Sequence, residues 1–93
     1  STIILDEPYA NLDYTGVKQV NSLIKKLKSE NKTVIILTHE LEKCLALADD
    51  FVVLFRGKIV YHDTPQNALK ENLEKWNIRN PLNSYKKLED LVW

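Results

Sequence analysis

Two adjacent acids close a run of branched apolar residues near the start of the chain, in Ile3-Ile4-Leu5-Asp6-Glu7-Pro8. A second apolar run, 33–37, ends in Thr38-His39-Glu40. An aspartate at a strand end can hold Mg²⁺, directly or through one of the waters this hard cation keeps. The glutamate beside it points elsewhere and can orient or deprotonate a water. The simpler role for the acid pair is to cap the following turn, and a lone histidine is more often a hydrogen-bonding residue than a catalytic one. Asp6, Glu7 and His39 become candidates because three such groups coincide on one edge.

They meet only if the runs before them are neighbouring strands. Residues 2–5, 33–37 and 51–55 are apolar at successive positions, the pattern of strands covered on both faces in a parallel sheet flanked by helices. Such sheets bind ligands beyond the carboxyl ends of their strands. Pro8 has no N–H for a ladder and stops the first strand just past the acids. Val17, Val20, Leu23, Ile24 and Leu27 recur at spacings of three and four and predict a helix, with Asn31 as its left-handed stop. A shorter helix is predicted over 40–48, with Leu41, Cys44, Leu45 and Ala48 on one face, giving the order β-α-β-α-β.

Arg56-Gly57 separates two strand-like runs by two residues and predicts a tight hairpin, so the fourth strand runs antiparallel. Thr64-Pro65 supplies an N-cap and a first-turn proline, and Leu69, Leu73 and Trp76 continue that helix. A final helix is expected from Ser84 through Leu88, Leu91 and Val92 to near Trp93. Trp76, Leu88, Leu91 and Trp93 are expected to cover the sheet, with an accessory or dimerisation element as the alternative.

Ninety-three residues suit one small domain. Thirteen basic residues cancel thirteen acidic ones, leaving no global field to attract nucleic acid or an anionic membrane. The pairs Lys25-Lys26 and Lys86-Lys87 read as solvated helix faces, so no nucleic-acid partner is expected. Cys44 has no second cysteine to bond with and reads as a small buried residue, which suits a reducing compartment. No apolar run reaches the roughly 18 residues of a membrane span and no signal segment opens the chain, so a soluble intracellular chain is expected.

An apolar strand running into "DEP", then "NLD", then a second strand into "LTHE" resembles the ATP-binding subunit of an ABC transporter over residues 2 to about 70. The resemblance implies an α/β fold: the C-terminal part of a P-loop NTPase, ABC-type ATPase domain, with parallel strands, flanking helices and an antiparallel hairpin. It implies that residues 1–70 belong to that domain and 71–93 form a C-terminal helical extension. "IILDEP" resembles Walker B, which makes Asp6 the carboxylate of the Mg²⁺ shell and Glu7 the residue polarising the attacking water. "YANLD" resembles the D-loop, so Asn11, Leu12 and Asp13 would face a partner ATPase domain; Asp13 can also be a helix N-cap. His39 resembles the switch histidine that contacts the γ-phosphate. Residues 48–69 resemble the segment ending these domains, with Asp63 where the family commonly has glycine.

The implied cofactors are ATP and Mg²⁺, and the implied partners are a second ATPase domain and transmembrane transporter subunits. The implied location is the cytoplasmic face of the cell membrane. Phosphoryl transfer also needs a glycine-rich cradle and its lysine. With only Gly16 and Gly57, no G-x-x-x-x-G-K-[ST] can be written here, and the family's glutamine loop and signature are missing too. The chain therefore reads as the C-terminal part of such a subunit: a truncation, a proteolytic remnant or one piece of a split protein. Alone it would be inactive, and prone to self-association or only marginally stable. The alternatives are a non-catalytic interaction or regulatory module pairing with an ATPase, or a soluble ATPase of the same family in translation or DNA repair.

Overall fold

The computed structural model describes residues 1–83 and 85–92. In chain order its elements are β1 (Thr2–Asp6), α1 (Tyr14–Ser29), β2 (Thr33–Leu37), 3-10 turns at Leu41–Lys43 and Leu45–Leu47, β3 (Phe51–Phe55), β4 (Lys58–Asp63), α2 (Pro65–Ala68), and 3-10 turns at Leu73–Trp76 and Leu88–Asp90. They divide into two compact units, Ser1–Leu47 and Ala48–Trp93.

In the first unit β1 and β2 pair in parallel, in a register running from Thr2 opposite Thr33 to Asp6 opposite Leu37. The crossover between them is α1. Asp13 caps α1 by accepting the Gly16 N–H at 2.8 Å, and the helix stops before Asn31, whose φ of 60° only a left-handed-tolerant residue adopts cheaply. Tyr9, Val17, Ile24 and Cys44 form the buried core, with Leu5, Val20, Ile36 and Leu47 packed against it. Side chains alternate across a strand, so the opposite face of the pair carries Ile4, Ile35 and Leu37, which are 63%, 43% and 43% exposed. The two-sided covering predicted from the apolar runs is thus one-sided in this chain.

The helix predicted over 40–48 is instead two 3-10 turns meeting at Cys44. The segment is too short to hold an α-helix by itself. Leu41, Cys44 and Leu47 follow the three-residue period of the tighter helix, and Leu47 rather than the exposed Ala48 reaches the core.

In the second unit β3 pairs antiparallel with β4, and these two make a sheet of their own. The predicted β-α-β-α-β pattern departs from the structure at its second helix, and among the described residues β3 pairs with β4 alone, a local partner reached at little loop-closure cost. Arg56 and Gly57 have φ of 52° and 77°, the pair of positive values that the tight hairpin turn demands. Phe51 and Val53 are buried.

The Thr64 hydroxyl caps α2 by accepting the Asn67 N–H at 3.2 Å, but the helix ends at Ala68. The predicted continuation through Leu69, Leu73 and Trp76 breaks at Asn72, a poor helix former with ψ of 86°. Trp76 instead sits in a separate turn, its ring centroid 5.4 Å from that of Tyr61. Among the described residues of the final predicted helix only Leu88–Asp90 turns, and Leu88 and Leu91 are exposed rather than covering a sheet. Ser84 and Trp93, the predicted bounds of that helix, lie outside the described residues. No helix among the described residues is long and apolar enough to cross a membrane.

Candidate functional site

The register of β1 and β2 builds the site. With Asp6 opposite Leu37, the residues that follow each strand leave the sheet side by side. The Glu7 N–H still donates to the Leu37 carbonyl at 2.7 Å, while its φ of 47° turns the chain sharply away. A glutamate held in the left-handed region carries a modest conformational cost. Its side chain offsets that cost: one carboxylate oxygen accepts the His39 N–H at 3.1 Å and the other the Thr38 hydroxyl at 3.3 Å. The Thr38 oxygen in turn accepts the Glu40 N–H at 3.0 Å. Glu7 is thereby tied to the segment that presents His39.

Asp6 is exposed at the end of β1 and its carboxylate has no hydrogen-bond partner among the described residues. A free oxygen donor at a strand end suits a hard divalent cation. No group of three or more His, Cys, Asp or Glu side chains among the described residues forms a metal cage, so a cation here would keep waters or draw on the oxygens of a bound phosphate. The His39 ring is exposed and has no hydrogen-bond partner among the described residues. It is therefore available to an incoming group.

The five residues after Glu7 form a compact loop, with Ala10 N–H donating to the Glu7 carbonyl and Leu12 N–H to the Tyr9 carbonyl, both at 3.2 Å. Asn11 sits at its exposed tip with φ of 62°. Asp13 closes it, engaged as the N-cap of α1. Asp6, Glu7 and His39 thus share one edge, while Asn11 and Asp13 lie on the adjoining loop.

Three residues that sequence reasoning passed over hold this arrangement. Thr38 is the hydroxyl described above. Tyr9 is 1% exposed, and its hydroxyl donates to the Asn21 side-chain carbonyl at 2.6 Å. Burial, reinforced by the neighbouring Cys44 thiol, raises the Tyr9 hydroxyl far above its ordinary pKa and keeps it a donor. Asn21 then donates to the Lys43 carbonyl at 2.7 Å. Its signal in the sequence was a polar side chain on the stripe of Val17, Val20 and Ile24. Cys44 is buried, as read from the sequence, and its burial raises the thiol pKa, which disfavours the thiolate.

No family model matches the chain. It is 44% identical over 82 residues, 85% of its length, to the energy-coupling factor transporter ATP-binding protein EcfA2 of Staphylococcus epidermidis. It is 43% identical over 81 residues to a putative ABC transporter ATP-binding protein of Pyrococcus furiosus. The chain spans only 29% and 30% of these two relatives. Among solved structures it resembles cbiO1 of Clostridium perfringens, part of the ABC transporter complex cbiONQ, with TM-score 0.66 and 31% identity over 86% of this chain and 33% of that one. With relatives of one kind matching across most of its length, the chain belongs, as a segment, to the ATP-binding proteins of ABC transporters.

Proposed function

We propose that this chain supplies the cation- and water-handling part of the ATP site in the ATP-binding subunit of an ABC transporter. The observation that supports the reading most is the pair of hydrogen bonds from Thr38 and His39 to the Glu7 carboxylate, which ties Glu7 to the segment of His39 beside the strand end that carries Asp6. In this reading residues 1–70 belong to the ATPase domain and 71–93 extend it at the C-terminus. Asp6 holds Mg²⁺, directly or through a water. Glu7 polarises the attacking water, Asn11 and Asp13 face the partner site, and His39 contacts the γ-phosphate. Bound Mg²⁺ supplies charge neutralisation for the transferring phosphoryl group.

These residues contain no glycine-rich phosphate cradle, so ATP binding would draw on further chain. We assign the open face of Ile4, Ile35 and Leu37 to packing against that remainder. The intact subunit would pair with a second ATPase domain and with transmembrane subunits at the cytoplasmic face of the membrane, and drive transport by hydrolysing ATP.

The test is to read the coding DNA upstream of the Ser1 codon, in frame. The proposal expects a strand followed by G-x-x-x-x-G-K-[ST] and, later, a signature segment. A start codon directly before Ser1 would leave a chain unable to cradle phosphate unaided, and would favour a non-catalytic module that pairs with an ATPase.

A further inference from the structure

The loop after β1 and the segment after β2 are joined a second time, away from Glu7, through the interior. The Tyr9 carbonyl holds the Leu12 N–H, fixing the loop that carries Asn11 and Asp13. From the same residue the buried hydroxyl reaches Asn21 on α1 at 2.6 Å, and the Asn21 amide reaches the Lys43 carbonyl at 2.7 Å. Lys43 belongs to the turn that opens just after His39: its N–H donates to the Glu40 carbonyl at 3.2 Å and its ammonium pairs with the Glu40 carboxylate. The directions of these bonds agree along the whole line. A phenol donates, an amide accepts on its oxygen and donates from its nitrogen, and a carbonyl accepts.

We propose that Tyr9 and Asn21 are positioning residues: a buried strut that fixes the loop of Asn11 and Asp13 relative to the segment of His39, so that the two move as one. The inference rests on the functional reading above for its effect on turnover, but not for the strut itself. Neither residue touches a substrate. Both act through what they hold. Partly desolvated hydrogen bonds of this length matter most when one partner is removed, because the other is left unsatisfied.

The experiment uses the full-length gene product in four forms: unaltered, Tyr9→Phe, Asn21→Asp and the double variant. Phenylalanine removes only the first link. Aspartate keeps an acceptor for Tyr9 but turns a carboxylate oxygen to the Lys43 carbonyl, replacing the second link with repulsion. Two readouts are taken: amide hydrogen exchange of the peptide spanning 38–44, and kcat against KM for ATP. The strut predicts faster exchange in that peptide for each single variant and a kcat lowered about five- to tenfold, the effect of one hydrogen bond. KM for ATP should stay within about twofold. The double variant should be no worse than the worse single, since either break releases the same connection.

Unchanged exchange at 38–44, or effects of the two singles that simply multiply, would overturn the strut. A gene product that hydrolyses no ATP in its unaltered form would instead overturn the functional reading, and exchange alone would then decide the strut.

Discussion

The Glu7 carboxylate accepts the backbone N–H of His39 at 3.1 Å, across 32 residues of sequence. A side chain at the end of one parallel strand thus holds the backbone at the end of the next, and that one contact depends on the register placing Asp6 opposite Leu37. A one-residue slip would turn every side chain on β2 to the other face. It would expose Ile36 and carry the His39 N–H away from Glu7.

Thr38 shares the grip on Glu7, and removing its hydroxyl should be felt in stability. Thr38→Val leaves the Glu7 oxygen short of a donor and the Glu40 N–H without its acceptor. The expected cost is about 1 kcal/mol, read as a lower urea midpoint. Thr38→Ser should keep most of it, and a valine variant as stable as the parent would count against the contact.

Asp13 has two assignments that mutation can separate. As the N-cap of α1 it accepts the Gly16 N–H, so Asp13→Ala should cost about 1 kcal/mol. Asp13→Ser restores the cap and should restore the midpoint. If Asp13 also faces a partner site, the serine variant stays stable yet turns over ATP more slowly; full turnover in that variant would leave the cap as its whole role.

Asp63 offers a pH signature in the second unit. Its carboxylate accepts hydrogen bonds from the Asn67 side chain at 3.0 Å and the Thr64 N–H at 2.7 Å, and these, with the Asn67 bond foremost, hold its pKa below the ordinary carboxylate value. A folded pKa below the unfolded one contributes stability that is present above the unfolded value and fades as pH falls through the folded one. A carbon-13 titration of this carboxyl should therefore show a lowered midpoint, and Asn67→Ala should raise it. An unmoved midpoint in that variant would remove Asn67 as the cause.

The residues with chemical potential were legible because short apolar runs stop abruptly at Asp6-Glu7 and at Thr38-His39, and a parallel strand has nowhere to send such side chains except its end. Local signals were legible too: the cap at Asp13, the stop at Asn31, the turn at Arg56-Gly57 and the start at Thr64-Pro65 each act within a few residues. Partner choice was not. The run at 51–55 is as apolar as β1 and β2, and nothing in its composition distinguishes a parallel neighbour from the hairpin partner it takes. Tyr9 sits in a stretch of loop residues, and only the fold reveals that its ring fills the space between Val17, Ile24 and Cys44. The short helices were overread because spacings of three and four fit both helix types over one or two turns.

The most direct test of the central claim is the ATP turnover of the full-length gene product carrying Glu7→Gln, measured beside its ATP binding. Glutamine preserves the size of the side chain and an oxygen to accept the His39 N–H, but it cannot take a proton from water. Binding should persist and hydrolysis should fall by about a hundredfold or more, the range of a lost general base. Hydrolysis at the parent rate would remove Glu7 from that role and contradict the site built around it.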